Sequence, residues 1–469
     1  MVFSSPIFLF GFLPVFLAVY YAVPAGCRSW LILLASSAFY AWWRTDVLLL
    51  VFAMGGASYL AARIAVAAPT KPAREWAVRL GVSFNLALLG WFKYAMFVGG
   101  MLSDGAERLG FGALGVPEII LPIGLSFLTF QSISYIIDVA RGDAPPARRL
   151  SDFMAFTTLF PQLIAGPVLR YKDLADQFEH RVHSLSRMVA GLKRFVAGLA
   201  MKLIVADSVA PLADRLFAVA DPTAAEAWLA ALAYTIQLFF DFAGYSAMAI
   251  GLGLMIGFRF VENFNAPYTA TSVTDFWRRW HISLSNWLRD YLYVPLGGNR
   301  YGPRRTYRNL LLTMVLGGLW HGANWTFLLW GAWHGGLMAL ERAMGAKARA
   351  SVWPPLVAWP LTMVLVMIGW VMFRAGSVGA AFNLYAGMAG AHGWAMRPEL
   401  ITLTKPTELL CLTLGVGIAL APMHKARLGS WSDRAAVLLR SGTTTTATLA
   451  LCLLIAQART DSPFLYFQF

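Results

Sequence analysis

The sequence predicts an all-α, polytopic membrane protein with about 11–13 transmembrane or re-entrant helices, a simple crossing needing about 20 mostly apolar residues. Two observations predict it. Hydrophobic residues make up 58% of the 469 and charged residues only 13%, where soluble domains carry about 25% charged, and the mean hydropathy is +0.60. Apolar runs then recur along the whole chain between short basic stretches. A soluble fold cannot hide so much apolar surface, so disorder, a coiled coil, a disulfide scaffold and an ordinary soluble enzyme are excluded. Cys27, Cys411 and Cys452 lie far apart in or beside apolar runs, a spacing that suits neither a metal site nor a disulfide framework.

The first run, residues 7–23, ends in small residues as a signal peptide does, but no Lys or Arg precedes Ile7, so it reads as the first span. Runs at 29–42, 46–66 and 79–101 follow. The run at 117–139 holds Pro122, Gly124, Thr129, Gln131, Ser132, Ser134 and Asp138. Irregular backbone at membrane depth is tolerated only inside protein or along water, so re-entrant segments are expected. After a run at 152–168 comes a basic region, 169–194, with Arg170, Lys172, Arg181, Arg187, Lys193 and Arg194. Residues 183–206 read as an amphipathic interfacial helix, and His180 and His183 as solvated. Runs at 190–212 and 226–256 follow, the second long enough for a break that Gly244, Gly251 or Gly253 would supply. A second basic region, 278–308, precedes runs at 309–340, 356–374, 377–391, 406–422 and 440–456. The positive-inside rule places both basic regions in the cytoplasm and reads the net charge of +14 as loop charge rather than nucleic-acid binding. With no linker or fixed-period repeat, residues 1–469 read as one integral membrane domain.

Polar residues inside this apolar frame carry the chemistry. His321 lies in LLLTMVLGGLWHGANWTFLLWGAWHGG, where no Lys, Arg, Asp or Glu occurs from Asn309 to Gly336. An ionisable group there is costly and marks a functional site by default, and imidazole exchanges protons near neutral pH. His334 follows in a second Trp-rich patch. The stretch TSVTDFWRRWHISLSNWLRDYLYVPLGGNR is too polar for a lipid-facing helix and too aromatic for a plain loop. It suits a protein-lined entrance into the membrane. Its guanidiniums can clamp phosphate bidentately, with Arg278, Arg279, Arg300, Arg304 and Arg305 as candidates. Asp241 and Tyr245 in FFDFAGYS, and Lys93, Gln131 and Asp138, suggest a polar path. No metal motif occurs. Paired histidines with a basic entrance suit group transfer, with a neutral His as general base and a phosphate-bearing acyl carrier as donor.

The chain resembles the membrane-bound O-acyltransferase family on MVFSSPIFLFGFLPVFLAVYY, LALLGWFKYAMF, LPIGLSFLTFQSISYIIDV, FPQLIAGPVLRY, QLFFDFAGYSAMAIGLGLMIGF, DFWRRWHISLSNWLRDYLYVPLGGNR and GGLWHGANWTFLLWGAWHG, in that order, and on the closing SPFLYFQF. Within it the chain is most similar to the bacterial branch typified by the alginate O-acetylation membrane subunit. The resemblance implies helices around a central funnel or tunnel in the cell inner membrane, with acetyl-coenzyme A entering from the cytoplasm. It implies His321 as general base and His281 as the group positioning or polarising the thioester or the hydroxyl. His334, Asn324, Trp320, Asp241 and Tyr245 are supporting candidates, and His281, Trp320, Asn324 or a backbone N–H would meet the oxyanion. It further implies that acetyl crosses the membrane to an exopolysaccharide or cell-wall glycan, through an extracytoplasmic SGNH-type partner transferase. D-alanyl transfer to teichoic acid by the same fold is the alternative, and a proton-coupled transporter the more distant one.

Overall fold

The computed structural model describes residues 1–163, 166–345, 353–424 and 441–458, in which there are helices and connecting loops and no strand. They fall into two compact units, Met1–Leu192 with Ala249–Val261, and Lys193–Met248 with Glu262–Phe469.

The first unit opens on a π-helical turn, Ile7–Phe12, that runs into α1 (Leu13–Ala22). It continues through α2 (Arg28–Ala41), α3 (Asp46–Ala67), α4 (Lys71–Leu89), α5 (Ala95–Arg108), α6 (Leu125–Arg141), α7 (Leu150–Thr157), α8 (Phe160–Leu163) and α9 (Tyr171–Glu179). Its core sets Val51 and Met54 of α3 against Leu89, Leu125 and Leu128. Gly142, in the left-handed region at φ +81, closes α6, a conformation that costs a glycine least. Buried Asp138 on α6 is paired with Lys172, Nζ to Oδ1 3.0 Å. His183, expected to be solvated, is instead packed: Nε2 lies 3.0 Å from the Tyr20 hydroxyl and Nδ1 3.2 Å from Arg28 Nη1. Burial, then the charges of Arg28 and Arg181, pull its pKa below the ordinary histidine value.

Helix α10 (Leu185–Ala200) runs across the division between the units, as does α12 (Ala224–Met255). The second unit adds α11 (Asp207–Phe217), α13 (Val273–Arg279), α14 (Ile282–Leu288), α15 (Pro303–His321), α16 (Trp325–Ala343), α17 (Pro355–Arg374), α18 (Val378–Met388), α19 (Pro398–Leu403), α20 (Pro406–Leu420) and α21 (Gly442–Ala458). Ala227 and Ala231 of α12 pack with Val371, Leu384 and Met388. Ion pairs join Arg397 to Glu226 at 2.7 Å and Arg374 to Asp214 at 2.7 Å.

Among the described residues, six helices are long and apolar enough to cross a membrane: Asp46–Ala67, Lys71–Arg108, Leu185–Phe217, Ala224–Met255, Leu356–Arg374 and Pro406–Met423. Ile7–Ala22 and Gly442–Ala458 are apolar but shorter. Three sequence expectations need correction. Residues 183–206 are not a separate interfacial helix but part of the continuous helix Leu185–Phe217. Its Lys202 is tolerated inside because Nζ lies 2.7 Å from both Asp207 Oδ1 and Asp241 Oδ1, and a buried charge needs such partners. The run 226–256 contains no break. Gly244 serves close packing instead: a Cβ there would stand 2.7 Å from the Gly198 carbonyl oxygen. The run 309–340 is two helices, α15 and α16, parted at Gly322, whose backbone is extended.

Candidate active site

The site is built on the α15–α16 hairpin and the α13–α14 segment. Glycine lets the two hairpin helices touch backbone to backbone: a Cβ on Gly331 would meet the Met314 carbonyl oxygen at 2.3 Å, and one on Gly318 the Phe327 carbonyl oxygen at 2.2 Å. Helix α15 ends at His321 because Gly322 leaves helical geometry. Helix α16 then restarts on Asn324, whose Oδ1 accepts from the Thr326 N–H at 3.1 Å as an N-cap. The other end of that amide donates to the Gly376 carbonyl at 3.2 Å. Glu341 ties α16 to α13, accepting from the Val273 N–H at 2.6 Å and the Thr274 N–H at 2.9 Å.

A cavity of about 440 Å³ lies among these elements, within the range of small-molecule sites. One helix face of α15 lines it with Leu310, Thr313, Met314, Gly317 and His321, and α16 supplies Trp330, Met338 and Arg342. Trp277, Arg278 and Arg289 come from the α13–α14 segment, with Tyr293 and Asn299 beyond it. Exposure grades along the lining: Arg278, Arg289 and Arg342 are exposed, while His321, Trp277 and Trp330 are buried. The guanidiniums thus stand where solvent reaches and the imidazole where it does not. His321 is braced by aromatic edges, with ring centroids at 5.0 Å from Trp320, 5.2 Å from Trp330 and 5.3 Å from Phe373.

His281 sits beside this wall, its ring 6.5 Å from that of His321 and 6.3 Å from that of Trp320. It is the N-cap of α14 and adopts the left-handed region at φ +44 and ψ +53. A non-glycine residue held there costs of order 1–3 kcal/mol, and such strain collects at functional sites. Asn263 holds it. The Asn263 backbone carbonyl accepts from the Ile282 N–H at 2.9 Å, and its Oδ1 lies 3.1 Å from His281 Nδ1. Burial pulls the pKa of His281 down to about 3, which keeps the ring neutral.

The other expected residues are placed as follows. Trp320 is buried beside both imidazoles. His334 is fully buried behind the cavity wall, with ring contacts to Trp277 and Trp330 at 5.3 Å each. Gly369 backs onto it so closely that a Cβ would stand 2.5 Å from Nε2. Asp241 belongs to the Lys202 ion-pair group, and Tyr245 is buried one turn further along α12. His281, Trp320, Asp241, Tyr245, His334 and Asn324 do not line the cavity. Of the arginines, Arg278 lines it; Arg279 is paired with Asp275 at 2.8 Å, and Arg300, Arg304 and Arg305 are exposed away from the lining. Sequence reasoning missed Arg289, Arg342 and Asn263. Arg342 had a signal, since Trp330, His334, Met338 and Arg342 recur every four residues on one face of α16. Asn263 had none, being one polar residue in an irregular stretch.

Residues 148–375, which include this whole site, match the family model described as membrane-bound O-acyltransferase. Over the full length of both chains the protein is 50% identical to the probable alginate O-acetylase of Azotobacter vinelandii. It is 54% identical to that of Pseudomonas aeruginosa over 84% of this chain and 76% of the relative. It is 35% identical to the peptidoglycan O-acetyltransferase of Helicobacter pylori over 84% of this chain and 80% of the relative.

Proposed function

The chain belongs to the membrane-bound O-acyltransferase family, and on that premise we propose that it takes acetyl from acetyl-coenzyme A at the cytoplasmic face of the cell inner membrane. It is a multi-pass membrane O-acetyltransferase serving an exopolysaccharide or cell-wall glycan. The observation that carries the donor assignment is the cavity, with three exposed arginines at one end and buried His321 at the other. Phosphates would pair with Arg278 and Arg342, and with Arg289 in exchange for its Asp290 partner at 2.7 Å, and the thioester would lie in the drier part beside His321. The acceptor hydroxyl gives its proton to His321 while its oxygen attacks the thioester carbonyl carbon. The tetrahedral intermediate then breaks its C–S bond, and the leaving thiolate takes the proton back from the imidazolium. His281, its ring 6.5 Å from that of His321, positions the reacting group. The glycan is met outside the cytoplasm through an SGNH-type partner transferase.

The test is turnover of radiolabelled acetyl-coenzyme A by purified protein with and without partner, using a D-alanyl carrier as control donor. We expect wild type to release acetyl and His321→Ala to lose all but a residual rate while accumulating normally in the membrane. Turnover at the wild-type rate in His321→Ala would remove the base assignment. Turnover of the D-alanyl carrier alone would move the chain to teichoic-acid chemistry.

A further inference from the structure

His281 could serve the reaction in two opposite ways: by donating a hydrogen bond to the thioester oxygen, or by presenting a lone pair that cannot donate. Its neighbours decide between them. Asn263 is buried, and its Oδ1 accepts from the Ser283 backbone N–H at 3.3 Å and the Ser283 hydroxyl at 2.8 Å. A backbone N–H only donates, so the amide atom facing it is the oxygen. The other end agrees, since Nδ2 donates to Ser246 Oγ at 3.0 Å. His281 Nδ1 lies 3.1 Å from that same Oδ1, and an oxygen accepts, so Nδ1 carries the hydrogen. A neutral imidazole has one N–H. Its Nε2 is therefore the basic nitrogen.

We propose that Asn263 is a positioning residue that locks His281 in the Nδ1–H tautomer, so that Nε2 presents a lone pair, cannot donate to the thioester oxygen, and leaves the oxyanion to another donor. The proposal rests on the acyl-transfer reading above. Three elements hold the lock. Ser246 comes from α12, Asn263 from the segment after it, and Ser283 from the first turn of α14. The left-handed backbone of His281 is what turns Nδ1 toward Asn263. Among the groups packed on the ring are Phe242 at 4.7 Å from α12, Trp320 at 6.3 Å from α15 and His321 at 6.5 Å.

The test uses purified full-length protein. ¹⁵N-histidine spectra of wild type, with the His281 signals identified by their loss in His281→Gln, should show the Nδ1–H form; an Nε2–H form would overturn the proposal. Asn263→Asp keeps an acceptor at Oδ1 and adds a negative charge. It should accumulate normally and raise the pKa of His281, read from the same ¹⁵N signals, by about one pH unit or more, because an adjacent anion favours the imidazolium. Asn263→Leu should lower kcat by about 10- to 100-fold with KM for acetyl-coenzyme A little changed, as expected of lost tautomer control. An unmoved His281 titration in Asn263→Asp, with His281→Gln inactive, would sink the lock alone. Wild-type turnover in His281→Gln would sink the reading on which it rests.

Discussion

His321 and Arg342 illustrate how differently two residues of one site declare themselves. An imidazole in an apolar run is conspicuous because burying it costs free energy that something must offset. An arginine at the end of a helix looks like an ordinary interfacial charge until the four-residue ladder from Trp330 places it on the cavity face. Asn263 shows the limit, because its role depends on where an irregular stretch passes relative to His281, and no periodicity encodes that. The arginine assignments divide cleanly by experiment. Arg278→Gln and Arg342→Gln should each raise KM for acetyl-coenzyme A by about tenfold, the loss of one charge-assisted hydrogen bond of about 1.5 kcal/mol, with kcat nearly unchanged. Arg304→Gln, exposed and off the lining, should leave KM at the wild-type value. Steady-state kinetics at fixed ionic strength reads both, and equal KM values in all three variants would mean that the cavity does not take the phosphates.

At the scale of elements, most apolar runs announced helices, though 117–124 is irregular and 152–168 holds only the short α7 and α8, and the joints were legible only where glycine and polar residues coincide. The run 309–340 carries Gly317, Gly318, Gly322 and Asn324. Only Gly322 breaks the helix, because Asn324 caps the next one. Gly318 and Gly331 stay helical and remove side chains where two backbones meet. In 226–256 the same residue type breaks nothing, since Gly244 faces a neighbouring helix. Glycine alone thus marks either a break or a contact, and the sequence does not say which. The contact at Gly331 is specific enough to test. Gly331→Ala sets a methyl against the Met314 carbonyl and the Val315 Cα, neither of which is a flexible end. It should destabilise by about 1–3 kcal/mol and lower turnover, since Trp330, Met338 and Arg342 ride on the displaced helix. Gly336→Ala, on the same helix with open space around it, should change neither. Thermal unfolding in detergent compares the two, and equal melting temperatures would show that the close approach is not required.

For the whole molecule, composition settled the solvent before any motif was read, and the arrangement of charge makes a claim about direction. Asn299 lines the exposed part of the cavity, and Arg300, Arg304 and Arg305 follow it directly on the surface. Basic loops stay on the cytoplasmic side because translocating them is unfavourable. The exposed end of the cavity should therefore open where a charged thioester donor made in the cytoplasm can enter without crossing the bilayer, while the acceptor arrives from the other side. An Arg304→Cys variant, in a background with Cys27, Cys411 and Cys452 replaced by Ser, reports this directly. A membrane-impermeant maleimide should label it in inside-out vesicles and leave it unlabelled in intact spheroplasts. A reversed pattern would put the arginine-lined entrance outside the cell, beyond reach of cytoplasmic acetyl-coenzyme A. The donor would then have to cross the membrane first, and the three cavity arginines would have to be read as acceptor contacts.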